Sequence, residues 1–196
     1  TFSPEIGHAI LTSQKVENHL IQKVVRVMKT KKYAALNVDF EHLKPEDRNR
    51  YTQFIKKLVP KIHAAGFPVS TSLAPKTSSK QTGSWYSAHD YGAHGKIADF
   101  VILMTYEWGW TGGPPMAVAP INQVKKVLDY AVTVIPHDKI MMGMPLYGYD
   151  WTLPYKKGGP PAKRLGFQEA AALAKKQGAN VQYDSKSQAP HFRYKD

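Results

Sequence analysis

Val16, Leu20, Val24 and Val27 recur at spacings of three or four, which predicts an amphipathic helix over about 15–29. Before it, Pro4 to Leu11 reads as a short helix that Ser3 caps at its amino end. The period then changes. Residues 34–41 (AALNVDFE) read as a buried strand. From Pro45 to Ala65 the spacing is helical again: Phe54, Ile55, Leu58 and Ile62 share a face, and Gly66 supplies the stop. Residues 68–74 (PVSTSLA) alternate and predict a second strand. Residues 100–106 (FVILMTY) are almost continuously apolar, as expected of a parallel strand covered on both faces. A helix over 121–134, a fourth strand over 139–147 and an alanine-rich helix over 168–177 follow, and the tail over 181–194 looks strand-like and polar. A long polar stretch, 75–95, which reads as a loop or a short helix, and a loop rich in glycine, proline and tryptophan, 107–120, interrupt the pattern.

Strands that alternate with helices argue for a parallel α/β sheet. No glycine-rich phosphate loop follows any strand, which counts against a nucleotide-binding doubly wound fold. Polar and aromatic residues instead crowd the carboxyl ends of all four strands: Asp39 and Glu41, Ser72 and Pro75, Tyr106 and Glu107, and Tyr147. In a (β/α)8 barrel that edge is the active face. Four strands make half of such a barrel, so the expectation is a partial (β/α)8 barrel. No linker or internal repeat marks a second domain, and residues 1–196 are expected to be part of one domain.

The charge changes the picture little. Lysine and arginine number 27 against 15 acidic residues, a formal net charge of +12. The lysines are scattered in pairs such as Lys31-Lys32, Lys56-Lys57, Lys125-Lys126, Lys156-Lys157 and Lys175-Lys176. No block of like charge and no finger or RNA-binding signature is present, so solvated helix faces are the plain reading. What remains is attraction to an acidic polymer other than a nucleic acid. No apolar run approaches the ~18 residues of a membrane span. The absence of cysteine excludes disulfides, thiolate metal sites and a cysteine nucleophile. His89 and His94 stand five apart, off a common helix face and without a third ligand, so no metal is expected there. Met141 and Met142 are expected in the core.

The strand at 34–41 carries the chemistry. Residues two apart on a strand point to one side, so Asn37, Asp39 and Glu41 face together, while Val38 and Phe40 pack under the helices. Polar groups in a barrel interior are costly unless paired or used. Two neighbouring carboxyls resist double ionisation, and one tends to keep its proton. Glu41 lies nearer the strand end and is the natural proton donor, with Asp39 behind it. A structural hydrogen-bond network at a strand end fits the same spacing.

These residues also resemble a family. Asn37-Val38-Asp39-Phe40-Glu41 is similar to the end of the DxxDxDxE signature of glycoside hydrolase family 18, with Asn37 and Ala34 at the middle and first aspartates. Met104-Thr105-Tyr106-Glu107 resembles that family's MxYD motif, with Glu107 in the aspartate position, and Gly143 to Gly148 (GMPLYG) resembles its GxPxYG motif. The stretches MTYEWGW and GMPLYGYDWTLPY are similar to the LysM-associated spore-cortex glucosaminidases within the family, whose own pattern includes the Asn37 and Glu107 variants.

The resemblance implies that the four strands are strands four to seven of the barrel. The family's SxGG third strand, its tryptophan-bearing eighth strand and any LysM repeats are absent from these residues. It implies cleavage of β-1,4 bonds after N-acetylglucosamine in peptidoglycan, by a substrate-assisted retaining route. Glu41 would be the acid and base, Asp39 would orient the acetamide N–H, and Tyr106 would hold the acetamide carbonyl. Asn37, Glu107, Trp108, Tyr147 and Trp151 would bind substrate. Trp108, Trp110 and Trp151 could stack on sugar rings or pin their loops. Glu107 could contact sugar hydroxyls or brace Tyr106, and Tyr147 could line the pocket or pack. The implied protein needs no metal or organic cofactor. It has a peptidoglycan or other N-acetylglucosamine glycan as partner and neither nucleic acid nor membrane. It would act as a monomer in the spore coat and cortex or the extracellular wall. A chitinase or a lectin-like binder on the same fold are the alternatives; Glu41, Asp39 and Tyr106 together favour an enzyme over a lectin.

Overall fold

The computed structural model describes residues 2–195. They fall into two compact units. The first takes Met104 and what precedes it, with Val127–Met142; the second takes Thr105–Lys126 and everything from Gly143 on.

The first unit opens with α1 (Pro4–Leu11) and α2 (Gln14–Lys31). Ser3 Oγ accepts from the Ile6 N–H at 3.2 Å and Ser13 Oγ from the Val16 N–H at 3.4 Å, so each helix starts on its serine. Lys32, at φ 55°, ends α2 in the left-handed region. The helix predicted from Pro45 begins instead with a 3-10 turn, Pro45–Asp47, before α3 (Arg48–His63). The reason is Asp47: its buried carboxylate is 2.8 Å from His8 Nδ1 and accepts from Arg50 at 3.0 Å, which fixes the corner. Gly66, at φ 91°, closes the following turn as expected.

β1 (Leu36–Val38), β2 (Val69–Leu73), β3 (Phe100–Leu103) and β4 (Ile140–Met142) form one sheet in that order, all parallel. Asn37 stands opposite Ser70, Ser72 opposite Ile102, and Leu103 opposite Met142. The α/β reading therefore holds. β2 is buried along its whole length. On one face α3 packs Tyr51, Phe54, Ile55, Leu58 and Ile62 against Val38 and Val69. An apolar groove of about 520 Å³ opens beside β1, lined by Leu20, Val24, Val27, Met28, Tyr33 and Leu36.

Strand lengths differ from expectation. β1 stops at Val38, where its ladder with β2 ends, rather than at Glu41. β4 stops at Met142 rather than Tyr147, and Met141 and Met142 are 53% and 40% exposed rather than in the core. Both strands pair on one side only among the described residues, so no outer neighbour extends or covers them. In the polar stretch a short helix, α4 (Tyr91–Ile97), starts where Asp90 Oδ1 accepts from the Ala93 N–H at 3.0 Å. Its two glycines hide it from periodicity. Gly95 is needed because a Cβ there would lie 2.8 Å from Ile135. Val127 and Ala131 of α5 (Ile121–Ala131) are fully buried.

The second unit is built differently. β5 (Tyr147–Asp150) and β6 (Lys163–Gly166) pair antiparallel, Tyr147 opposite Gly166. α6 (Phe167–Lys176) follows directly, where the expectation had Gln168 to Gln177. The tail forms a hairpin of β7 (Gln182–Asp184) and β8 (Ala189–His191). Asp184 Oδ1 closes its turn by accepting from the Lys186 and Ser187 N–H groups, each at 2.8 Å.

Candidate active site

In the first unit the two candidate carboxylates, Asp39 and Glu41, follow the end of β1. Asn37 Nδ2 donates to Ser72 Oγ at 2.9 Å, and Asn37 Oδ1 accepts from Ser70 Oγ at 2.9 Å. Both serines lie on β2, two residues apart and on the face that Asn37 shares. On the other side Val38 is buried, and Phe40 stacks on Tyr51 and Phe54 with ring centroids 5.5 and 5.6 Å apart. Val38 and Phe40 thus pack under α3, and Asn37 joins the serines of β2. Glu41 is only 9% exposed and Asp39 is half-buried. Burial pushes the Tyr51 hydroxyl pKa up, the Phe40 backbone opposes it in part, and the charges of Asp39 and Glu41 push it further up. Both carboxylates therefore lie within electrostatic reach of one buried phenol.

Two histidines underlie this segment. His89 Nδ1 accepts from the Ala74 N–H at 2.7 Å, and its Nε2 donates to the Phe40 carbonyl at 2.9 Å. An amide N–H can only donate and a carbonyl only accept, so the imidazole carries its proton on Nε2. Burial lowers the His89 pKa to about 4. His94 Nδ1 lies 3.2 Å from Thr71 Oγ1, with the Tyr51 ring edge-on at 4.8 Å. Burial, followed by His89, lowers its pKa to about 3. Both nitrogens of His89 are held by backbone and cannot ligate a metal. Ser72 was expected at this edge; Ser70 and His89 are the residues that the sequence does not point to here. The Ser-x-Ser alternation on β2 is the signal for Ser70.

In the second unit Tyr106 and Glu107 are half-buried, and Glu107 sits at φ 67°, a region costly for a side chain of this kind. Its Oε1 accepts from the hydroxyls of both Tyr147 and Tyr149, the latter at 2.9 Å. Burial and then the Glu107 carboxylate push the Tyr149 pKa up to about 12, and raise that of Tyr147 as well. The Arg164 guanidinium lies 4.3 Å from the Tyr147 ring centroid. Tyr147 is therefore the first residue of an antiparallel strand rather than the last of a parallel one, and it is tied to Glu107. Trp108 donates its backbone N–H to Val118 at 3.0 Å. Trp151 Nε1 donates to the Gly113 carbonyl at 2.9 Å, so its indole N–H pins the glycine-rich loop. Gly112 and Gly113 lie against the Trp110 ring so closely that a Cβ at either would approach it to 2.5 or 2.4 Å. Beside Trp151 a cavity of about 250 Å³ is lined by Leu153, Pro154, Tyr155 and Pro160.

The first unit thus offers a mostly buried acid just beyond a strand end, with a second carboxylate two residues before it. The second offers a phenol, Tyr106, next to a carboxylate held by two tyrosines. Such groups suit proton transfer and the orientation of a polar substrate.

Comparison with known proteins bears on this arrangement. The family model "Glycosyl hydrolases family 18" matches residues 7–196. The chain is 49% identical over 195 residues to the cortical fragment-lytic enzyme of Bacillus subtilis (strain 168), covering 100% of this chain and 45% of that protein. It matches the crystal structure of the Bacillus cereus spore cortex-lytic enzyme SleL with a TM-score of 0.95 at 45% identity. It matches that of the Bacillus megaterium QM B1551 enzyme with a TM-score of 0.94 at 49% identity. Each structural match covers 100% of this chain and 45% of the other, so the chain spans less than half the length of these relatives.

Proposed function

This chain belongs to glycosyl hydrolase family 18, and from that premise we propose that it serves the hydrolysis of β-1,4 bonds after N-acetylglucosamine in spore-cortex peptidoglycan. The observation that supports the reading is a mostly buried Glu41 just past the end of β1, with Asp39 two residues before it. The relative named as a cortical fragment-lytic enzyme supplies the substrate class.

Family 18 catalysis dispenses with a protein nucleophile and uses the substrate's own acetamido group. The acetamido oxygen attacks the anomeric carbon as Glu41 protonates the leaving oxygen; the product is an oxazolinium ion. Glu41, now a carboxylate, takes a proton from the water that opens it. Asp39 accepts from the acetamide N–H and stabilises the positive charge. The Tyr106 hydroxyl donates to the acetamido oxygen and holds it for attack. Asn37, Glu107, Trp108, Tyr147 and Trp151 bind the sugars around the reacting bond, with Trp151 held in place by its bond to Gly113.

β1 to β4 are, in this reading, strands four to seven of a (β/α)8 barrel, and residues 1–196 are part of one catalytic domain. The unshared edges of β1 and β4 support it. The protein acts as a monomer at the spore coat and cortex or the extracellular wall.

The test is Glu41→Gln in the full-length protein, acting on cortical glycan fragments. Shape is kept and the proton is lost, so kcat falls by about 10²-fold or more while glycan binding persists. A loss of less than about tenfold rejects Glu41 as the acid. Glycan binding by the unaltered protein with no product released rejects hydrolysis and leaves a lectin.

A further inference from the structure

The ladder between β1 and β2 ends at Val38 opposite Thr71, just before Asp39, Phe40 and Glu41. One side chain ties this segment to the end of β2. His89 Nε2 donates to the carbonyl of Phe40, the residue between the two carboxylates, at 2.9 Å. Its Nδ1 accepts from the N–H of Ala74, the residue that follows β2, at 2.7 Å. The imidazole therefore bridges the ends of two adjacent strands just where their own hydrogen bonds stop. We propose that His89 is a positioning residue for the acid, one that fixes the Phe40 peptide and through it the directions of Asp39 and Glu41. The proposal rests on the catalytic reading of Glu41 given above.

The bridge is itself held. His89 is 1% exposed, and the Tyr51 ring, which stacks on Phe40, lies 6.1 Å from it at a tilt. Its backbone N–H donates to Tyr86 at 3.2 Å, and its carbonyl accepts from Lys76 Nζ at 3.1 Å. Because burial keeps the ring neutral, one nitrogen always donates and the other always accepts. A charged ring would turn Nδ1 into a donor facing the Ala74 N–H. The value of such a bridge is large, because a displacement of about 1 Å at a reacting group can cost 10²-fold in rate.

Two substitutions separate the two bonds. His89→Gln carries an amide N–H to the Nε2 position and keeps the donor to Phe40. His89→Asn carries a carbonyl oxygen to the Nδ1 position and keeps only the acceptor for Ala74. In the full-length protein on cortical glycan fragments, the glutamine variant keeps kcat within about threefold, while the asparagine variant loses about tenfold or more at nearly unchanged KM. Equal loss of kcat in the two variants, or a loss confined to KM, overturns the proposal and leaves His89 a packing residue. Glu41→Gln is assayed alongside. If it is inactive, an insensitive His89→Asn counts against the positioning role alone; if it is active, the catalytic reading fails first. Nitrogen-15 NMR of the unaltered protein needs no variant to fold. The proton of His89 belongs on Nε2, and finding it on Nδ1 breaks the bond to Phe40 and the proposal with it.

Discussion

His94 shows what a single buried residue does to the stability of the first unit. Burial and the neighbouring His89 lower its pKa to about 3, with Asp90 opposing and Arg48 adding to the effect, while an unfolded histidine titrates near 6.5. The unfolded chain therefore takes up a proton at a pH where the folded one does not. The stability contributed by the neutral ring is whole above pH ~6.5 and is lost as the pH falls toward the folded value. His89, lowered to about 4, acts in the same direction. Each adds a slope of up to ~1.4 kcal/mol per pH unit within its window. Urea unfolding at successive pH values should give a steep loss of stability on the acid side, and His94→Gln should flatten it. The pairs His8–Asp47 and His63–Asp99 are common to both proteins and cancel in the comparison. Identical slopes would show that His94 is not held neutral.

At the scale of elements, Glu107 clamps β5 to the segment after β3 through the hydroxyls of Tyr147 and Tyr149. Glu107→Ala removes the acceptor and the charge, and costs the second unit about 1–3 kcal/mol for the hydroxyls left behind. It also lowers the pH at which Tyr149 ionises, from about 12 toward its ordinary value, less whatever burial alone sustains. Ultraviolet titration of tyrosinate checks this, and an unmoved titration rejects the clamp. Much of the element order was legible: Ser3 marked α1, the three-four spacing marked α2, and Gly66 marked the stop after α3. Strand ends were not, because a strand ends where its partner's hydrogen bonds end, and pairing leaves no local pattern in Asp39 or Gly143. β6 is not legible because Lys163-Arg164-Leu165-Gly166 shows too little alternation. The same division holds at the candidate site. Asn37 on the side that meets β2 follows from period two, but its bonds to Ser70 and Ser72, and that of Tyr149 to Glu107, need a register between distant segments. The spacing of His89 speaks only to metal ligation, since a bond from an imidazole to a backbone carbonyl has no spacing to read.

For the whole molecule the quantity that matters is the net charge of +12. Peptidoglycan carries peptide carboxylates, and a basic protein meets such a polymer faster when its field reaches far. The reach shrinks from ~30 Å at 0.01 M salt to ~8 Å at 0.15 M. Turnover of muropeptide-bearing glycan by the full-length protein should fall with salt, mainly in kcat/KM, while cleavage of neutral chitooligosaccharides changes little. Equal salt responses reject steering and leave Glu41 untouched. The unshared edges of β1 and β4 add a colloidal consequence. Each presents a row of open N–H and C=O groups, and at β4 these lie beside the exposed thioethers of Met141 and Met142. A second copy offers a strand for each. Produced as these 196 residues alone, the chain is held in dispersion by mutual repulsion of its lysines, and salt removes that restraint while leaving the edges sticky. Light scattering from such a preparation should therefore grow as salt is added, and a solution that stays clear and monodisperse would show the edges to be covered.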